Sequence, residues 1–279
     1  MGDRQLMPTE FSFSLSLTAM DILTDLLRLG SPVLIFEVPS VGETMEDRTL
    51  IRDVVLRDLA SRNLANRGRL EPEVEDALVT LAKYRHAIDG VAAMADESRL
   101  CYRAATDGRI AVLARKEDTE IRFEMLRPES LVHAAMGPIG NVKPGPGQSM
   151  TYPEASQQPP RQPAHRRQEP EEGFGGLRKV SPAQASGYEL QRRAAGTITD
   201  KPRTQIGWFS IYGRDQMGRH QKAPDVTWFD TEEGRYMGYR RPGSDGQQWT
   251  TYSPSDTPRI AQQVIAMLNS LNQNQQRPR

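Results

Sequence analysis

Few residues of this chain have the types and spacing that catalysis requires. The sequence contains no G-x-x-x-x-G-K-[ST] phosphate loop, no G-x-S-x-G nucleophile motif and no H-E-x-x-H metal motif. Residues 143–147 (KPGPG) carry prolines where a phosphate cradle needs free backbone N–H groups. The four histidines are too scattered to indicate a metal site: they are His86, His133, His165 and His220. We therefore predict no catalytic, cofactor-binding or metal-binding residues, and the alternative is an α/β enzyme whose site is assembled from scattered residues.

The single cysteine, Cys101, limits the redox chemistry of the chain. One cysteine cannot form an internal disulfide or a multi-cysteine zinc site. It lies between Leu100 and Tyr102 in a predicted strand, without a neighbouring histidine or basic cluster, so we expect a buried structural thiol. This cysteine usage fits a reducing compartment and predicts a cytoplasmic protein.

Charge and hydropathy exclude further classes of protein. The 279 residues include 36 Lys and Arg and 36 Asp and Glu, for a formal net charge of +0. Because a general polyanion binder needs a basic surplus, we expect no nucleic-acid partner. No cleavable signal peptide is recognisable, and no uncharged apolar run approaches the ~20 residues of a membrane-spanning helix, so we expect no membrane insertion.

The first half of the chain combines helix signals with a strand meander. Alternating apolar residues and serines predict a strand at residues 11–17, and Thr18 with Asp21 resembles a capping box for the next helix. A second strand is predicted at residues 33–38, and helices follow Thr44 and Pro72. Short connections then predict four antiparallel strands and a helix, at residues 86–94, 100–105, 110–114, 120–126 and 128–136.

The second half repeats this order after a polar segment. A helix is predicted at residues 182–195, four strands follow, and a last helix starts near Thr257; the strands are at residues 207–212, 226–229, 235–240 and 249–252. The segment between the halves is rich in Pro and Gln and lacks core residues, which predicts a disordered linker. The predicted organisation is therefore an N-terminal half, a linker, a C-terminal half and a disordered tail, at residues 11–136, 137–176, 177–271 and 272–279.

The two halves align with each other at a constant offset. Residues 107–109 (DGR) match residues 233–235 (EGR), so that Arg109 and Arg235 are 126 positions apart. The same register matches four strands to four strands and helix to helix, which indicates a tandem repeat with a pseudo-twofold relation. Chance similarity of two meanders is the alternative. We predict an α/β (α+β) fold of two related halves, whose antiparallel meanders form a central sheet flanked by helices.

The second meander is rich in aromatic residues. Trp208 and Phe209, like Trp228 and Phe229, are adjacent in their strands and must point to opposite faces of the sheet. One face packs on helices, and the other presents large rings to a partner unless helices cover it as well. We predict Trp228 and Tyr239 as partner-binding residues, and we expect their substitution by Asp to weaken binding and leave the fold intact.

Several segments, taken in order, resemble one protein family. After the opening strand and short helix, residues 68–78 read GRLEPEVEDAL, residues 213–215 read GRD, residues 234–236 read GRY, and residues 249–256 read WTTYSPSD. This order is similar to the EspG family, whose members are associated with ESX (type VII) secretion. The resemblance covers most of both halves but not the linker.

The resemblance implies both a fold and a function. The implied fold is an α/β sandwich of two related halves around a central sheet. The implied function is that of a cytosolic chaperone, which binds the tip of a PPE protein's helical hairpin within a PE–PPE heterodimer and keeps it soluble for export. The implied partner is thus a PPE-like protein of such a heterodimer, or another helical type VII substrate. No cofactor or catalytic residue is implied, and the family's contact positions follow no motif that could be transferred.

Overall fold

The computed structural model describes residues 11–31, 33–154, 182–215, 217–243 and 246–274. In chain order the elements are β1 (Phe11–Ser16), α1 (Leu17–Leu26), α2 (Met45–Ser61), β2 (Ala65–Asn66), β3 (Arg69–Leu70), α3 (Pro72–Ala82), β4 (His86–Ala93), β5 (Arg99–Thr106), β6 (Ala111–Glu117), β7 (Glu120–Leu126), α4 (Leu131–Met136), β8 (Met150–Pro153), α5 (Pro182–Thr199), β9 (Gln205–Arg214), β10 (His220–Lys222), β11 (Val226–Thr231), β12 (Gly234–Pro242), β13 (Gln248–Pro254) and α6 (Thr257–Asn274). Short 3-10 helices cover Leu34–Phe36, Pro128–Ser130 and Gly137–Ile139.

Eleven of the described strands form one antiparallel sheet. Their order is β1–β7–β6–β5–β4–β9–β11–β12–β13–β8, and β10 pairs with β9. Two four-stranded meanders, β4–β7 and β9 with β11–β13, meet in the middle where β4 pairs with β9. All eight predicted meander strands are present, and the predicted fold class of a central antiparallel sheet flanked by helices is confirmed.

Helices cover parts of both faces of this sheet. In β4, Ile88 packs in a core with α4 and α6, whereas its neighbour Ala87 packs on the other face in a core with α1, α2 and α3. In β11, Trp228 belongs to the α4–α6 core, and Phe229 packs on the opposite face with Ile198 of α5. The α1–α3 layer and α5 therefore share one face, and α4 with α6 occupies the other.

The helix starts follow capping chemistry. The predicted start of α2 is confirmed, because the side chains of Thr44 and Asp47 exchange hydrogen bonds with each other's backbone N–H. The capping box predicted at Thr18 and Asp21 is wrong: the helix is capped two residues earlier, by Ser16, whose Oγ accepts from the backbone N–H of Ala19 at 3.1 Å. Asp21 instead lies inside the helix, where its carboxylate accepts a hydrogen bond from Arg48 of α2 at 2.9 Å.

The strand predicted at residues 33–38 is also wrong. Residues Leu34–Phe36 form a 3-10 turn that packs on the face of β5 instead of pairing with a sheet edge. Leu34 is 88% exposed, whereas Phe36 is fully buried. Glu37 ends the turn with a φ of 51° in the left-handed region, which is incompatible with an extended strand.

Part of the predicted disordered linker is ordered structure. Residues 150–153 form β8, which pairs with β13 at the sheet edge. The disorder prediction is therefore wrong for residues 137–154, and residues 155–176 lie outside the described residues. The predicted tail overlaps the last turn of α6, which runs to Asn274, and residues 275–279 lie outside the described residues. The other domain boundaries stay a prediction.

Backbone hydrogen bonds to β12 hold residues 143–145, in the segment after α4. The backbone N–H of Arg235 donates to the carbonyl of Lys143 at 2.9 Å, and its carbonyl accepts from the N–H of Gly145 at 3.0 Å. Gly234, at a φ of 142°, lies so close that a Cβ would be 2.6 Å from the nitrogen of Gly145. Only glycine fits there, so Gly234 permits the close approach at which these backbone hydrogen bonds form.

The buried guanidinium of Arg235 uses all five of its N–H groups. Two donate to the carboxylate of Asp230 at 2.7 and 2.9 Å. The others donate to the carbonyls of Ile139 and Gly140 at 2.8 and 3.0 Å and to Oγ1 of Thr257 at 2.9 Å. Arg235 thus joins the β11–β12 hairpin, the segment after α4 and the start of α6.

The two meanders correspond strand for strand, but not at a constant offset. The ring of Tyr102 lies over Gly90 on the neighbouring strand, and the ring of Trp228 lies over Gly207 in the same way. The two aromatic residues are 126 positions apart, whereas the two glycines are 117 apart. The offset of 126 residues does not extend to β4 and β9, because the connection from β9 to β11 is longer than the connection from β4 to β5.

Candidate partner-binding surface

A strip of sheet surface lies open between the two helical layers on one face. Its residues come from three central strands: Val91 and Ala93 of β4, Ile206 and Trp208 of β9, and Thr227 of β11. Val91, Trp208 and Thr227 are paired side by side, and Ala93 pairs with Ile206. None of the five belongs to the helix-covered cores formed by the described residues. We call this surface the central strip.

The central strip is largely apolar, and four of its residues are exposed, whereas Val91 is buried at 5% exposure. Trp208 is 42% exposed and Ile206 is 37% exposed, whereas Phe209, the residue after Trp208, is fully buried on the other face. Three strands spaced by about 4.8 Å give a floor about 14 Å wide. Since a helix with its side chains is about 10–12 Å across, the strip is wide enough for one helix or the end of a helical hairpin.

A buried ion pair borders the strip at one end. Arg103 donates to both carboxylate oxygens of Asp89 at 2.6 and 2.8 Å. Its guanidinium lies over the rings of Tyr84 and Tyr212, at 5.4 and 5.9 Å from their centroids. These contacts fix the side chains on β4 and β5, so this end of the strip is rigid and its charges are neutralised.

A histidine and a tyrosine meet beside this ion pair. The hydroxyl of Tyr84 lies 3.2 Å from Nδ1 of His220. Burial raises the pKa of Tyr84, and burial together with Arg214 and Arg103 lowers the pKa of His220. Both groups are therefore neutral at pH 7, and neither supplies a charged acid or base to the strip.

The other end of the strip is bordered by a surface ion pair and the cysteine. Arg99 donates to Glu37 at 2.8 Å. Cys101 pairs with Val91 and is buried, as predicted for a structural thiol. Burial raises the pKa of the Cys101 thiol, so it is protonated and unreactive at neutral pH.

Two further observations concern the described part of the chain. Among those residues, no three His, Cys, Asp or Glu side chains are grouped so that they could hold a metal ion. No helix within them is long and apolar enough to cross a membrane.

The structure places both residues predicted to bind a partner on the α4–α6 face of the sheet, but with different exposure. Trp228 is 1% exposed, and the guanidinium of Arg235 lies 4.7 Å from its ring centroid. Tyr239 is half-buried on the α4–α6 face. Because a buried ring has no surface to offer, an Asp at position 228 would place an unpaired charge in the core, contrary to the expectation of an intact fold. The partner role of Tyr239 stays a prediction.

The sequence analysis does not predict Trp208, the exposed tryptophan of the central strip, as a partner-binding residue. The alternation of β9 does indicate that Trp208 lies on the opposite face from Phe209 and Ile211, which form one apolar face. Which face helices would cover could not be decided without the pairing of β9 with β4 and β11.

Comparison with known proteins identifies the family. The sequence profile of the EspG family matches residues 16–266. This chain belongs to the EspG family. The fold of this EspG-family protein is similar to that of the Mycobacterium tuberculosis type VII secretion system chaperone EspG5, solved in complex with the PE25–PPE41 dimer. The TM-score is 0.64 and the identity is 11%, over 93% of this chain and 96% of that chain. Comparison with curated protein sequences gives no match.

Proposed function

We propose that this EspG-family protein is a cytosolic chaperone of type VII secretion, and that it binds a PPE-like protein within a PE–PPE heterodimer without catalysing a reaction. The observation that carries this proposal is the family match over residues 16–266, together with a fold similar to a chaperone solved with a PE–PPE pair. Beside the central strip, Arg103 and Asp89 form an ion pair, and Tyr84 and His220 are neutral at pH 7. The absence of an unpaired charged acid or base among these four groups agrees with a role in binding.

The central strip supplies the contact that this function needs. Apolar ends of a helical hairpin aggregate when they are free, and an apolar sheet surface can cover them reversibly. Trp208 and Ile206 offer such a surface, and the floor of three strands matches the width of a helix. We place the main contact at Trp208 rather than at Trp228, since only the former is accessible.

Co-expression tests the proposed function. The full chain is produced together with PE–PPE-like pairs, and complexes are separated by size-exclusion chromatography. We expect one stable stoichiometric complex, and greater solubility of the PPE-like protein than when it is produced without the chaperone. Failure of every PE–PPE-like pair from the same genome to co-elute would refute the proposal.

Substitution of Trp208 by Ala tests the surface. The 42% exposure corresponds to roughly 100 Å² of a tryptophan side chain, whose burial against a partner is worth about 2.5 kcal/mol. We therefore expect the dissociation constant of the complex to rise about 60-fold. Leu50→Ala is the matched control, because Leu50 is 67% exposed on α2, away from the strip, and should leave the affinity unchanged. Equal affinities for wild type and Trp208→Ala would remove the strip from the interface.

A further inference from the structure

Leu34 is the most exposed large apolar side chain among the described residues. It is 88% exposed, whereas Phe36, two residues later in the same 3-10 turn, is fully buried in the core with α1, α2 and α3. A single exposed leucine on a soluble surface needs no explanation. Leu34 is different because the structure holds it rigidly and places it beside the central strip.

Three contacts fix the turn that carries Leu34. The ring of Phe36 anchors the turn in the core. The backbone N–H of Glu37 closes the turn by donating to the carbonyl of Leu34 at 3.1 Å. The carboxylate of Glu37 then accepts a hydrogen bond from Arg99 of β5 at 2.8 Å. Because the backbone is already ordered, a partner that covers Leu34 has to order only the leucine side chain.

The ion pair of Glu37 and Arg99 also places Leu34 next to the central strip. Arg99 pairs across the sheet with Ala93, which is part of the strip. Leu34 is one 3-10 turn away from Glu37, a rise of about 6 Å. The turn packs on β5, the strand that neighbours the strip. Leu34 therefore lies on the wall that borders the strip on its β5 side.

The width of a helical hairpin determines which wall it reaches. The strip is about 14 Å wide and holds one helix, whereas two packed helices have axes about 8–10 Å apart and together are about 20 Å wide. The second helix must therefore extend past the strip on one side.

The two sides of the strip differ in how near an exposed leucine is. On the β5 side, the strand that supports the turn of Leu34 is about 4.8 Å from the strip. On the β11 side, the nearest wall helix is α5, where Leu190 is 67% exposed. The neighbouring Gln191 accepts a hydrogen bond from Thr151 of β8, which lies three strands beyond β11. The β5 side thus offers the apolar contact within reach of a second helix.

We propose that the end of the partner's helical hairpin contacts both features: one helix lies on the central strip against Trp208, and an apolar side chain of the second helix packs on Leu34. This inference rests on the proposed function and specifies the chemistry of the partner. A hairpin with an apolar residue at this position of its second helix covers Leu34. A hairpin with a charged residue there loses affinity, because the charge is buried without a partner. Leu34 is therefore a specificity-determining residue.

Titration of the full chain with a PE–PPE-like pair that co-elutes with it tests the contact. Leu34→Ser removes the apolar side chain and should raise the dissociation constant about tenfold or more. Leu34→Met keeps an apolar side chain of similar volume and should bind like the wild type. Leu190→Ser is the matched control and should leave the dissociation constant unchanged. All three variants should unfold at the same temperature as the wild type, because both leucines are exposed.

Photo-cross-linking identifies the helix that each side of the site touches. Cys101 is the only cysteine of the chain and is buried, so an introduced surface cysteine can be labelled selectively with benzophenone maleimide. Leu34→Cys carries the label on the wall, and Thr227→Cys carries it on the far side of the strip. We expect the two labels to cross-link to different helices of the PPE-like protein, as read from the cross-linked peptides by mass spectrometry.

Three results would overturn this inference while the wild-type complex still forms. The first is an equal dissociation constant for the wild type and Leu34→Ser. The second is a larger loss of affinity in Leu190→Ser than in Leu34→Ser, which would place the second helix on the β11 side. The third is cross-linking of both labels to the same helix. A wild-type chain that binds no PE–PPE-like pair would instead refute the proposed function, and this inference with it.

Discussion

Replacing Arg235 by Met tests how far the folded state depends on one buried guanidinium. Methionine fills part of the same space but removes all five N–H donors. The side chain of Asp230, only 4% exposed, would stay buried without its counter-charge. The carbonyl of Ile139 would lose the donor that Arg235 supplies at 2.8 Å.

The expected cost is a large part of the total stability. Removing one partner of a buried ion pair costs about 3–5 kcal/mol, and an unsatisfied buried carbonyl adds about 1–3 kcal/mol. Since domains are stable by only about 5–15 kcal/mol, Arg235→Met should lower the urea midpoint strongly or leave the chain largely unfolded. Arg115→Met is the control, because Arg115 and Glu117 form a pair whose side chains are 40% and 43% exposed. Such a pair contributes about 0–1 kcal/mol.

A double variant shows where the cost arises. Asp230→Asn combined with Arg235→Met removes the buried carboxylate, so it should be more stable than Arg235→Met alone. Urea unfolding followed by circular dichroism measures all three variants. Equal urea midpoints for Arg235→Met and Arg115→Met would refute the conclusion that the buried contacts of Arg235 stabilise the fold strongly. A double variant no more stable than the single one would show that the unpaired carboxylate is not the main cost.

Two further predictions concern buried groups. Trp228→Asp should destabilise the fold and lower the yield of soluble protein, because it buries an unpaired charge. Tyr239→Asp changes a half-buried position and should unfold at a similar temperature to the wild type in a thermal scan. Similar melting temperatures for the two variants would contradict this prediction. Burial lowers the pKa of His86, so the unfolded chain takes up a proton first and stability should fall as the pH drops below about 6.5. His86→Gln should reduce this loss between pH 7 and pH 5.5 in urea unfolding, and an unchanged pH dependence would show that His86 does not cause it.

The meanders could be predicted from sequence because their signals are local. The strand at residues 120–126 has the predicted bounds, and turn residues mark the ends of the others. The capping box of α2 was equally readable, since Thr44 and Asp47 are three residues apart and act on each other. In both cases the interacting groups are near neighbours in the chain.

The errors arise where distant contacts decide the structure. The segment around Lys143 looks like a linker because its order depends on the backbone of Arg235, about 90 residues later. Local spacing predicts that Asp21 belongs to a helix cap, whereas its carboxylate accepts a hydrogen bond from Arg48 of the next helix. The sequence shows that the second meander is rich in aromatic residues, but only the pairing of β9 with both neighbouring strands shows that Trp208 is the exposed tryptophan.

The position of the central strip follows from the tandem arrangement of the fold. In each half a helix precedes the meander. On the same face of the sheet, α3 packs on β5 and β6 and α5 packs on β8. The halves join through β4 and β9, so the seam between the helical layers lies over these two strands. On the opposite face, α4 and α6 pack against each other and cover the centre. The same geometry therefore closes the middle of one face and leaves an apolar, helix-wide surface around Trp208 in the middle of the other.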